Sequence, residues 1–182
     1  MKHIYTFLCL LLLSGVGQVD AFSEADLEKL KSTNECNKCD FSGANLGGAR
    51  LRASNLADAN LTNADLTGAN LYKANLENVN LTGANLTGAN LIDTFMEDTN
   101  LQDANLTGAN LTKAYLEATD LTGANLTMAN LTGTVLEGTN LENADLTDAV
   151  LTDAKLIWVK NLNKAILCRT TMPDRTVNNS GC

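Results

Sequence analysis

Ala84-Asn85-Leu86-Thr87-Gly88 is one unit of the run that decides the fold: from position 41 to position 156 every fifth residue is Leu, apart from Phe41 and Met96. Twenty-four such units follow one another without a break. A repeat this regular fixes the architecture before any other feature is weighed. Five residues on an α-helix advance about 500°, so successive leucines would land roughly 140° apart and build no apolar stripe. On an unbroken strand the side chains alternate with period two, and a repeat of five would send successive leucines to opposite faces. What survives is a strand of about three residues, its first and third side chains pointing inward, followed by a corner that restores the phase.

Each slot of the unit supports that reading. Two residues before the Leu, sixteen of the twenty-four units carry Ala, and the rest carry Cys39, Ser54, Val79, Thr94, Thr99, Thr119, Thr134 or Thr139, as a tight interior requires. One residue before the Leu, eighteen of twenty-four are Asn or Asp, which bond to nearby backbone at turns. After the Leu come Thr in eleven units and then mostly Gly, Asp or Asn. Departures from the pattern recur at intervals of twenty: Glu77, Glu97, Glu117 and Glu137; Phe95, Tyr115 and Val135, followed by Lys155; and Lys73, Asp93 and Lys113. If four units close one lap, these residues stack at roughly the 4.8 Å spacing of paired strands. The coil is then four-sided, with about six laps in a rod on the order of 29 Å long.

The A-(D/N)-L-x-x signature, sustained from Cys39 to Trp158, resembles the pentapeptide repeat family. The resemblance implies an all-β solenoid, a right-handed four-sided β-helix. Solenoid ends need caps to hide open strand edges. Ser23-Glu24-Ala25-Asp26-Leu27 predicts a capping helix at about 23–32, with Ser23 as N-cap, Asp26 in a capping-box-like position and Phe22 stapled onto Leu27. At the other end the five-residue phase breaks after Leu156 and resumes one residue later at Leu162, Leu167 and Met172, which predicts a bulge. The tail from Pro173 to Cys182 is expected to be an irregular cap that folds back. The expected organisation is a signal peptide at 1–21, a cap helix within 22–36, the β-helix over 37–172 and the tail at 173–182.

Lys2 and His3 precede an apolar run from Ile4 to Leu13, and Val19-Asp20-Ala21 fits a small-x-small cleavage site, so residues 1–21 read as a secretory signal peptide. The apolar run is too short to span a bilayer, although an uncleaved anchor is the alternative. Seven Asn-Leu-Thr sequons, beginning with Asn60, Asn80 and Asn85, would crowd glycans on stacked ladders, which favours a bacterial-type exporter. The family has exported members in the periplasm and the thylakoid lumen, and the C-x-x-C-D-x-S-G-A-N-L start at Cys36 looks like theirs. Cleavage leaves Cys36, Cys39, Cys168 and Cys182, one pair at each end of the rod. Disulfides need short Cα separations, so Cys168–Cys182 is the expected bridge; for Cys36 and Cys39 a local bridge and two buried thiols both fit.

Function is bounded mainly by exclusion. The only His, His3, lies in the signal segment, no Ser or Cys sits beside a base, and no Gly-rich phosphate loop follows a strand, so neither an enzyme nor a cofactor is expected. The C-x-x-C pair lacks partner ligands for zinc. Mature net charge stays at −8, since cleavage removes only Lys2 and Asp20, and opposes direct nucleic-acid binding. One side of the coil carries Phe95, Tyr115, Val135, Glu77, Glu97, Glu117, Glu137 and Asp98. It reads as a solvated acidic face, as a docking surface for a basic protein partner, or as a calcium-bridged column. The preferred expectation is an exported, non-enzymatic scaffold or protein-interaction module, without membrane insertion after cleavage. The alternative, implied by relatives that occupy the DNA site of a topoisomerase, is an acidic DNA mimic. A column of Thr67, Thr87, Thr107, Thr127 and Thr147 has the regularity of an ice-binding face but lacks paired threonines.

Overall fold

The computed structural model describes residues 23–182. The signal peptide expected at 1–21 and the staple from Phe22 fall outside the described residues.

Parallel bridges join each unit to the one twenty residues later, from Glu35 with Asn55 through Asn85 with Asn105 to Asn140 with Lys160. Four units therefore close one lap. The strand at each rung is shorter than the expected three residues: a single bridging residue, the one before the Leu, exchanges bonds with its neighbours above and below. Asn85 donates to Ala64 O at 2.9 Å, and Leu86 donates to Asn105 O at 2.7 Å. Leu and its small companion two residues earlier face inward and are almost wholly buried from Leu56 to Leu151. Met96 fills a leucine slot completely buried, as its similar volume and flexible thioether allow.

Corners are β-turns closed by the N–H of the next small residue on the Leu carbonyl, as in Ala89 N to Leu86 O at 3.0 Å. The third turn residue has a positive φ in all twenty-four units, nine of them Gly and fifteen not. This is why Gly, Asn and Asp dominate that slot: only Gly takes the left-handed region freely, and Asn and Asp tolerate it. Ala53, Lys73, Lys113, Ala118, Met128 and Trp158 occupy it without either advantage. Where Thr replaces Ala inside, its hydroxyl donates to a carbonyl one lap back: Thr99 to Leu76 O at 2.6 Å, Thr119 to Met96 O and Thr139 to Leu116 O at 2.7 Å. Those buried hydroxyls are thus satisfied.

The N-terminal cap is helix α1, Glu24–Thr33, with Ser23 as N-cap accepting from Asp26 N at 3.2 Å. It begins and ends one residue later than the sequence suggests. The capping box is not closed: Ser23 N donates to Asp40 O instead, and the Asp26 carboxylate accepts from Asp40 N at 2.9 Å. Asp is a methylene shorter than the Glu of a capping box, and its carboxylate ties the helix to the first lap.

At the C-terminal end the phase break differs from expectation. Lys160 still bridges Asn140 in step, whereas Ile166 bridges Asp145 and Thr171 bridges Val150, each one residue late. The extra residue is absorbed after Lys160 by a 3₁₀ turn, Leu162–Lys164, so Leu162 is no core centre but only half-buried at the rim, whereas Leu167 is buried in the core. Nor is the tail irregular throughout: β1, Thr170–Thr171, pairs antiparallel with β2, Val177–Asn178. Both disulfides are formed, Cys36–Cys39 and Cys168–Cys182. Arg169 adds a paired contact, its Nε and Nη2 donating to the two carboxylate oxygens of Asp148 at 2.6 Å each.

Candidate interaction face

The side centred on Leu56, Leu76, Met96, Leu116, Leu136 and Leu156 departs most from the repeat, and the ladder brings its departures together. Asn75, Phe95, Tyr115, Val135 and Lys155 bridge in succession, one rung apart. The rings of Phe95 and Tyr115 stack with centroids 5.3 Å apart and planes 9° from parallel. They remain 41 % and 38 % exposed, an aromatic pair turned to the outside.

Two residues further on runs the glutamate column. Burial pushes the Glu97 carboxyl above its ordinary value, and the charges of Glu77, Glu117 and Asp98 push the same way against a backbone hydrogen bond. Its Oε2 is buried without a hydrogen-bond partner. On the other sides the Asn or Asp before each Leu accepts the backbone N–H of the residue after it, as Asn85 does from Thr87 at 3.2 Å and Asn105 from Thr107 at 3.1 Å. Phe95, Tyr115 and Val135 have no such oxygen. Asn75 still serves Glu77 at 2.9 Å. The amide of Glu97 has its own carboxylate against it, and the amides of Glu117 and Glu137 meet no protein acceptor among the described residues.

Two residues that the sequence reading left out also lie here. Ile157 continues the glutamate column and Trp158 the column after it, 44 % and 79 % exposed. Trp158 follows Ala118 and Gly138 along the ladder, so small residues lie in front of it. The periodic substitution that revealed the glutamates fades in this last unit, which is why the indole went unread. On the adjacent side, Arg52 lies over the Tyr72 ring at 4.2 Å. The Lys73, Asp93, Lys113 column makes no ion pair among the described residues.

Among the described residues the one group with metal-ligand geometry is Asp26 with Cys36 and Cys39, and both sulfurs are in a disulfide. The glutamates, one rung apart, do not gather into a cage. Three hydroxyls of the threonine column are committed locally: those of Thr67, Thr87 and Thr107 each donate to the Asp or Asn of their own unit at 2.6 Å.

The family model for pentapeptide repeats matches residues 35–71, 64–103, 99–138 and 129–160. The chain belongs to the pentapeptide repeat family. Solved pentapeptide repeat structures align with it. HetL from the cyanobacterium Nostoc, involved in heterocyst differentiation regulation, is 26 % identical over 79 % of this chain and 81 % of its own, with TM-score 0.47. A protein of the Arabidopsis thaliana thylakoid lumen is 29 % identical over 66 % of this chain and 70 % of its own, with TM-score 0.43. The plasmid-mediated fluoroquinolone resistance protein QnrB1 is 15 % identical over 76 % of this chain and 74 % of its own, with TM-score 0.44. No curated protein matches the chain in sequence.

Proposed function

We propose that this pentapeptide repeat protein is exported and acts as a non-enzymatic scaffold that docks a basic protein partner on its aromatic and acidic face. The observation that carries this reading is the exposed Phe95–Tyr115 stack beside Glu77, Glu97, Glu117 and Glu137. Aromatic anchors flanked by like charge suit a partner of opposite charge, which the field steers and the rings hold. Export rests on residues 1–21 as signal peptide, and two disulfides are compatible with an oxidising compartment such as the periplasm, a thylakoid lumen or the exterior. We take the coil as right-handed from the family resemblance. The DNA-mimic alternative rests on the family resemblance together with a net charge of −8.

A photo-cross-linker placed at position 117, with position 107 as control, tests the docking face in extracts of the producing cells. The expected product is a basic protein captured only from position 117 and lost in Phe95→Ser/Tyr115→Ser; equal capture from both positions sinks the face. Export is tested by N-terminal sequencing of the mature protein, which should begin at Phe22. Recovery of the folded protein from the cytoplasm with residues 1–21 retained removes that part of the reading.

A further inference from the structure

We infer that the segment held by this face is a cationic polyproline II stretch with Lys or Arg at every third residue, lying along the axis of the coil. The inference rests on the docking reading above and names the occupant. Three features of the face select it. The first is spacing. Rungs repeat at roughly 4.8 Å, so carboxylates two rungs apart, Glu77 with Glu117 or Glu97 with Glu137, are about 9.6 Å apart. Three residues of polyproline II span about 9.3 Å. A β-strand presents same-side residues about every 6.7 Å and falls out of step within two rungs. An α-helix advances about 5.4 Å per turn, accumulating about 1.2 Å of error over the same two rungs.

The second feature is backbone chemistry. The N–H groups of Glu117 and Glu137 have no acceptor within the protein among the described residues, whereas in units with Asn or Asp before the Leu the same N–H donates to that side-chain oxygen. A polyproline II chain has no internal hydrogen bonds and presents its carbonyls outward, whereas a helix has used nearly all of its own. Free donors on the face therefore favour the extended occupant. The third feature is apolar relief. Phe95, Tyr115 and Val135 form one ridge, and Trp158 stands beyond the small residues Ala118 and Gly138. Exposed rings beside small residues are surfaces on which proline packs, and a preformed helix of this kind loses little entropy on docking. Lys155 ends the ridge with the opposite charge, which places the cationic part of the occupant over the Glu77 to Glu137 stretch.

The test is fluorescence anisotropy on the protein with both disulfides formed. The probes are three labelled fifteen-residue peptides: five Pro-Pro-Lys triplets, the same composition with the five lysines contiguous, and an alanine-rich helix with lysines four apart. The triplet peptide is expected to bind at least about tenfold more tightly than either comparator. That preference should vanish in Glu97→Gln/Glu117→Gln and in Phe95→Ser/Tyr115→Ser, and persist in Asp65→Asn on the far side. Equal affinity for all three peptides, still lost in the face variants, overturns the polyproline assignment while the docking face stands. Absence of any face-dependent binding also overturns the assignment, and the cross-linking at position 117 then decides the docking face separately. Circular dichroism of each variant confirms that the coil is intact.

Discussion

The side centred on Met96 and the one two units further round the lap, centred on Leu106, share one backbone and opposite chemistry. Around Leu106 each unit is self-sufficient. Asn105 takes both the amide and the hydroxyl of Thr107, at 3.1 and 2.6 Å, and the turns there close tightly, with Ala109 N to Leu106 O at 2.9 Å. Gly68, Gly88 and Gly108 leave open space outside. Around Met96 aromatics and Val have displaced that Asn, the next slot holds Val79, Thr99, Thr119 or Thr139, and the turn bonds lengthen to between 3.2 and 3.3 Å. The carbonyls of Leu76, Met96 and Leu116 accept a threonine hydroxyl from the next lap as well as the turn N–H. One side has satisfied its own turn amides, and the other has left charge, rings and amides facing outward. Recognition is expected where the repeat stops serving itself.

The strongest test of this contrast asks whether it is confined to the surface. Met96→Ala and Leu106→Ala empty equivalent buried slots, and each is expected to lower stability by about 2–5 kcal/mol. Denaturant titration should give values within about 1 kcal/mol of each other; a much smaller loss at Met96 would mean that the aromatic side is loosely packed beneath as well. Next in size is Asn105→Ala, which removes the acceptor of two hydrogen bonds and is expected to cost about 1 kcal/mol by the same titration. The matching change on the other side, Tyr115→Ala, removes no such acceptor.

Ala118→Gly relieves a left-handed φ of 54° and is expected to stabilise by roughly 0.5–1 kcal/mol, seen as a higher thermal midpoint. No gain would show that the corner holds Ala without strain. The smallest effect concerns Glu97. Its carboxyl is raised in the folded state above 4.5 by burial and by its acidic neighbours, so the native state binds more protons than the unfolded chain near that value. Stability then falls as pH rises from below the unfolded value through the folded one, and the penalty is complete at neutral pH. Glu97→Gln should raise stability by a few tenths of a kcal/mol at pH 7 after solvent screening and leave it nearly unchanged at pH 3. A variant that follows the wild-type pH profile throughout would assign the penalty to other groups.

The spacing of Leu and of the twenty-residue departures made the lap readable, because both are set by the closing of the coil on itself. That Phe95 and Tyr115 become neighbours follows from the same arithmetic. The remainder depended on contacts that no period encodes. Leu162 looks like the next core residue, yet the 3₁₀ turn at 162–164 takes up the extra residue and leaves Leu162 at the rim. Asp26 fits a helix cap by its position, but its carboxylate is drawn to an amide fourteen residues away. Trp158 holds a positive φ that no propensity assigns to Trp, because it sits in the third turn position, which is left-handed in every unit of the coil.

A stack of parallel rungs comes apart most readily from its ends, because terminal laps have neighbours on one side only. Here each terminus carries a covalent clasp, Cys36–Cys39 beneath α1 and Cys168–Cys182 across the hairpin. Both bonds are local and cross to no neighbouring lap, so they stiffen each cap without fastening it to the rod, and fraying at either end releases a cap as one preformed piece.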